Sequence, residues 1–85
     1  MKIFKYQLHS DIIMMPKGAK ILTVMMQGDV FCLWAEVDQK AKLEERFIEK
    51  FGTGQEIPID MGIDRSYIGT VQDGSFVWHF YERVN

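Results

Sequence analysis

Apolar and polar residues fall in short runs punctuated by Gly, Pro and Asp breaks, and most runs keep a period of two. Phe4, Tyr6 and Leu8 alternate with Lys5 and Gln7, which predicts a strand with one face buried. His9-Ser10-Asp11 supplies turn formers. The apolar run from Ile12 to Met15 then stops at Pro16-Lys17-Gly18, where proline fixes φ and glycine frees it. In the third run, Ala19 to Met26, both parities are apolar: Ile21 and Met25 on one side, Leu22, Val24 and Met26 on the other. Such a strand is covered on both faces or lines an interface. Gln27-Gly28-Asp29 separates it from the β-rich run 30–38, and the pair predicts a hairpin over 19–38. Asp73-Gly74 between two further β-rich runs predicts a second hairpin over 67–84. On its last strand Phe76, Trp78 and Phe80 share one face, and Val77, His79 and Tyr81 the other.

Residues 39–51 support two readings. Good helix formers, Asp38 as a possible N-cap and Gly52 as a possible C′ residue favour a helix. Against it stand like-charged pairs four apart, Lys42/Arg46, Arg46/Lys50 and Glu45/Glu49. Phe47, Glu49 and Phe51 also alternate with Ile48 and Lys50, as a strand would. Gly52-Thr53-Gly54 begins a turn, Pro58 marks an extended or edge segment, and residues 60–66 read as a loop.

Composition narrows the class. In 85 residues, 47% are hydrophobic and 13% aromatic, which excludes a disordered tail and fits one small domain over 1–85. The lone Cys32 cannot form an internal disulfide, and two histidines with one cysteine cannot close a structural zinc site. Met1-Lys2-Ile3 opens no signal-peptide pattern, and no apolar run spans a bilayer. A cytoplasmic protein without membrane partners is therefore expected. Net charge is −2, but residues 1–20 carry +3 and residues 29–85 carry −5. Lys2, Lys5, Lys17 and Lys20 thus form a candidate basic patch.

Four ordered motifs carry a family likeness: Met15-Pro16-Lys17-Gly18-Ala19-Lys20-Ile21-Leu22, Leu33-Trp34-Ala35-Glu36-Val37-Asp38, Gly52-Thr53-Gly54 with Ile57-Pro58, and Tyr67-Ile68-Gly69-Thr70. Together they span nearly the whole chain. The sequence resembles a family of short proteins encoded by phages and prophages and carried as a domain of unknown function. The resemblance implies a phage context and a strand over roughly 45–52, and it brings no catalytic residues. The expected fold is all-β, a small antiparallel barrel or sandwich of six to seven short strands. The alternative is α+β with one helix at 39–51.

No residue constellation points to an enzyme. Cys32 lies between Phe31 and Leu33 with no charge within two positions, which suits a small core residue better than a thiolate. Ser10, Ser66 and Ser75 flank turns and none sits in a Gly-x-Ser-x-Gly elbow. His9 belongs to a turn. The acid pairs Glu44-Glu45 and Asp60/Asp64 occupy polar stretches that suit a solvated surface. Gly52-x-Gly54 lacks the following helix and Lys-Ser/Thr of a phosphate loop. No cofactor is expected.

Surface chemistry points to binding instead. Met14-Met15 and Met25-Met26 are expected to face each other across the Pro16–Gly18 turn, with one member of each pair outward. Met25, Met26, His79, Tyr81, Lys17 and Lys20 are the residues expected to meet a partner. Three functions follow. The first is a phage-encoded interaction protein binding a host or phage protein, for instance inhibiting a host defence or regulatory complex. The second is a small nucleic-acid-binding domain using the lysines and strand aromatics. The third is an oligomeric accessory or structural protein joined through the methionine-rich strand.

Overall fold

Seven strands form where the alternating runs lie: β1 (Lys2–Gln7), β2 (Ile12–Pro16), β3 (Lys20–Gln27), β4 (Val30–Val37), β5 (Leu43–Gly52), β6 (Arg65–Asp73) and β7 (Phe76–Arg83). The computed structural model describes residues 1–59 and 61–84, so the Asp60 half of the Asp60/Asp64 pair lies outside the described residues. The strands build two antiparallel sheets, ordered β1-β4-β3 and β2-β5-β7-β6. The all-β expectation holds, as an open sandwich rather than a closed barrel, and no helix occurs among the described residues.

Both sequence hairpins are present. Gln27 pairs with Val30 and Asp73 with Phe76, leaving Gly28-Asp29 and Gly74-Ser75 as two-residue turns. Gly28 and Gly74 take φ of 62° and 60°, while neither following residue has positive φ. This is the sign pattern of a II′ turn, which wants glycine first.

The helical alternative for 39–51 is overturned. Asp38 does not cap a helix: its Oδ1 accepts from Lys40 N–H at 3.1 Å and its C=O from Ala41 N–H at 3.0 Å, closing a turn that delivers the chain into β5. In β5, Ile48 is buried between the sheets while Phe47, Glu49 and Phe51 take the opposite face. That alternation outweighs helix propensity because the strand sits between β2 and β7.

The Pro16–Gly18 turn also differs from expectation. It does not join paired strands but carries the chain from the four-stranded sheet to the three-stranded one. Met14 therefore lies opposite Glu45 and Met25 opposite Cys32, and the two methionine pairs belong to different sheets. Each pair does split as alternation requires, with Met15 and Met26 toward the core and Met14 and Met25 exposed.

The core is one layer between the sheets. Leu33, Ala35 and Val37 of β4 are fully buried and meet Ile13, Met15, Ile48, Val71 and Phe80 from the other sheet. Phe31 packs edge-on against Phe80 at 5.2 Å. On the same inward parity, Arg46 makes a two-pronged pair with Glu82, one prong at 2.9 Å, and its Nη1 donates to Ala19 C=O at 2.8 Å. This guanidinium fastens the β2–β3 crossover to β5 and β7.

Removing one partner should leave the other charge stranded. Arg46→Ala is expected to lower unfolding free energy in urea by about 3 kcal/mol, the low end for a buried pair, because the two side chains keep 16% and 10% exposure. The double variant Arg46→Met/Glu82→Leu should recover most of that loss.

Candidate functional site

The two outward faces of the sandwich are built from the same alternation and end differently. On the four-stranded sheet, Phe47, Glu49 and Phe51 of β5 align with Arg83, Tyr81 and His79 of β7, and Arg65, Tyr67 and Thr70 of β6 extend the same rows. Tyr81 packs edge-on against Phe51 at 6.0 Å and Tyr67 at 5.4 Å. His79 contacts Thr53 Oγ1 through Nε2 at 2.8 Å and Thr70 Oγ1 through Nδ1 at 3.0 Å, and Thr70 also bonds the Tyr67 hydroxyl. Both hydroxyls can donate or accept, so either neutral imidazole tautomer satisfies the chain.

The charges of this face also pair with one another, although Arg65 Nη2 is buried without a hydrogen bond. Glu49 accepts from Arg65 Nε at 2.7 Å and Arg83 Nη2 at 3.1 Å. Arg65 Nη1 reaches Pro58 C=O at 2.8 Å, tying down the segment after β5, and the two guanidinium groups lie over Phe51 and Phe47. A shallow depression of about 270 Å³ remains beside His79 and Tyr81, rimmed by Gly52–Gln55 and Ile57. Gly52-Thr53-Gly54 is a turn, with Gly54 at φ 88° and Gly52 N–H held by Gln55 Oε1 at 3.0 Å. Beyond it Ile59 and Met61 are fully exposed.

The outward face of the three-stranded sheet carries Ile3, Lys5 and Gln7 of β1, Val30, Cys32, Trp34 and Glu36 of β4, and Lys20, Thr23, Met25 and Gln27 of β3. Trp34 lies at its centre, between Lys5 and Thr23. Cys32 is 1% exposed although it faces outward. The register runs the Lys5 Nζ to Gln27 Oε1 bond, 2.6 Å, diagonally across it, which accounts for that burial. Ile3 remains 61% exposed, Met25 50% and Leu22, at the β3 bulge, 41%. No element of the described chain packs over this face.

The sequence-derived residues therefore divide. His79 and Tyr81 come together on one sheet, and Met25 and Lys20 share the other. Met26 turns inward against the core, and Lys17 sits exposed in the crossover turn. Lys2 has the opposite parity to Lys5 and Lys20, so the basic patch is split across β1. Trp34 and Ile3 were missed. The signal was the parity of β4: once Phe31, Leu33, Ala35 and Val37 fill the core, Trp34 must face out.

A gap of about 160 Å³ near the β1–β2 connection brings His9, Ser10, Asp11 and Lys50 to one mouth. Ser10 Oγ accepts from Ile12 N–H, His9 bonds Gln7, and Lys50 lies over Phe31 and Trp78. Among the described residues none of Ser10, His9 and Asp11 hydrogen-bonds another through its side chain, and no group of three or more His, Cys, Asp or Glu is placed to hold a metal ion. No helix among the described residues is long and apolar enough to cross a membrane.

These observations define a small β-sandwich domain whose outward faces differ: one carries a linked aromatic and charged network, the other a mixed surface on which Ile3 and Met25 stay exposed. The chain belongs to the family described as Domain of unknown function (DUF7352), whose model matches residues 1–85. No curated protein and no solved structure matches it.

Burial pushes the Glu49 carboxyl up, but hydrogen bonds from Arg83 and Arg65, with their charges, outweigh it and hold the group below its ordinary 4.5. A carboxyl lowered in the native state contributes stability above its unfolded value that is lost as pH falls through the native one. Stability measured in urea should therefore drop on acidification below 4.5, and Glu49→Gln should flatten that drop while costing stability at neutral pH.

Proposed function

We propose that this protein is an interaction module that binds another protein through the outward face of its β1–β4–β3 sheet. The observation that carries the reading is the apolar surface around Trp34, with Ile3, Leu22 and Met25 exposed on a rigid sheet. Large apolar side chains left exposed on one sheet face mark interaction surfaces, and tryptophan is among the residue types that dominate binding energy at interface centres. The contrast within one molecule supports it: on the opposite face most polar and aromatic groups bond or pack against one another.

The likeness to phage and prophage proteins suggests the setting. The protein would be phage-encoded and act in the host cytoplasm on a host or phage protein, a host defence or regulatory complex being one such target. Non-enzymatic action follows from a face that offers contact area and no reactive group. A second copy of the chain is the other occupant this apolar face could take, which would make the protein an oligomeric accessory component.

Tagged protein should retain a partner from host lysate, and Met25→Lys and Ile3→Lys should each reduce retention at least tenfold. Both are surface changes, so stability should stay within about 0.5 kcal/mol. Full retention by both variants would overturn this reading. Concentration-dependent sedimentation abolished by Met25→Lys would favour the oligomer, and salt-sensitive oligonucleotide binding the nucleic-acid alternative.

A further inference from the structure

The free edges of the two sheets are not equivalent. Along an antiparallel strand, residues alternate between those whose N–H and C=O turn toward the neighbouring strand and those whose groups turn away. Leu8 N–H donates to Phe31 C=O at 2.9 Å, and this pair continues the β1–β4 register. Lys2, Phe4 and Tyr6 therefore bond β4 through the backbone. Ile3, Lys5 and Gln7 direct their N–H and C=O away from the sheet, where no strand follows.

On β2 the same reasoning gives a closed edge. Ile48 N–H donates to Asp11 C=O and Lys17 N–H to Lys42 C=O, so Ile12, Met14 and Pro16 are the outward positions. Ser10 Oγ takes the Ile12 N–H at 3.3 Å. Pro16 has no N–H, and its C=O accepts from Ala19 N–H at 3.0 Å. Only Met14 keeps both groups open. The remaining edges, β3 and β6, pack against each other so closely that a Cβ on Gly69 would lie 3.2 Å from Val24 Cγ1.

We propose that β1 is a docking edge at which an extended acidic and apolar segment of the partner adds as a fourth strand to the three-stranded sheet. The inference deepens the interaction reading above and rests on it. Strand addition draws affinity from main-chain hydrogen bonds and specificity from alternate side chains. Charge selects the occupant: β1 carries Lys2 and Lys5 and no acid. Edge lysines oppose pairing with another copy, which would bring four ammonium groups onto two adjacent strands. Carboxylates opposite Lys5 and Lys2 would be matched instead, with apolar residues opposite Ile3, Phe4 and Tyr6.

The test uses the full chain and a capped peptide, Thr-Val-Glu-Val-Val-Glu, with a control in which both Glu are Lys. Amide exchange of Ile3, Lys5 and Gln7 should slow at least tenfold with the acidic peptide, while Met14 on β2 is unchanged. Lys5→Pro removes an outward N–H and leaves the β4 ladder whole, so it should abolish the effect in a folded protein. Lys5→Glu should reverse the preference between the two peptides. No slowing at millimolar acidic peptide, or equal slowing by the lysine peptide, would overturn the proposal. So would slowing that grows with protein concentration alone, which would reveal a second copy at the edge. A partner retained equally by wild type and Lys5→Pro would sink the docking edge but leave the interaction face standing. Loss of retention in Met25→Lys alone would point to the face without the edge.

Discussion

A sandwich of two sheets holds together through a single apolar layer, and here that layer is centred on β4. Leu33, Ala35 and Val37 have no exposed surface, and they share one buried cluster with Ile13, Met15, Ile48, Val71 and Phe80 of the other sheet. The molecule is only 17 Å across its shortest dimension in Cα positions, which leaves room for two sheets about 10 Å apart and nothing more. Every other feature follows from how the remaining parity of each strand is then accommodated. A strand that commits one set of residues to the core presents the other set to whatever lies outside.

At the rim of this layer the chain solves a second problem, fastening a crossover. The segment from Pro16 to Lys20 must leave one sheet and enter the other, and it exposes backbone groups in doing so. Lys17 N–H finds Lys42 C=O, Gly18 N–H finds Glu44 Oε2, and Ala19 C=O takes Arg46 Nη1. All three partners lie at the start of β5. Arg46 is held in turn by Glu82, so the β2–β3 crossover, β5 and β7 are cross-tied by one guanidinium. Such a pair is a weak source of net stability and a strong source of registration, because misplacing either group leaves a buried charge.

This explains which elements were legible in the sequence. The hairpins at Gly28 and Gly74 were, because their turns need positive φ at one residue and the flanking runs are local. In the segment 39–51 the residues alone left helix and strand open, and it was the family resemblance that implied the strand over roughly 45–52 now seen as β5. Helix propensity is local, whereas the reasons for a strand are distant: Arg46 meets Glu82 and Ile48 meets Glu82 across the ladder. Pro16-Lys17-Gly18 looks the same as a hairpin turn in sequence, and only its contacts with Lys42, Glu44 and Arg46 make it a sheet crossing. For the site, alternation correctly separated Met25 from Met26 and joined His79 with Tyr81. It could not show that Thr53 and Thr70, from outside the strand, would satisfy His79 and leave that face with little to offer.

The asymmetry between the outward faces has a physical origin in chain economy. The connection from β5 to β6 is the longest between strands, and Arg65 binds it through Pro58 to the four-stranded sheet. The connections around the three-stranded sheet are short: two residues join β3 to β4, and five join β4 to β5. Among the described residues no segment covers Trp34. The protein has nevertheless placed a lysine beside that tryptophan and roofed Cys32 with a Lys5–Gln27 bond rather than with apolar side chains. A surface shaped only by lack of chain would gain most from polar residues throughout. This one keeps Ile3, Leu22 and Met25 exposed and turns the outward backbone groups of Ile3, Lys5 and Gln7 to a free edge, the combination that the proposed partner segment would cover.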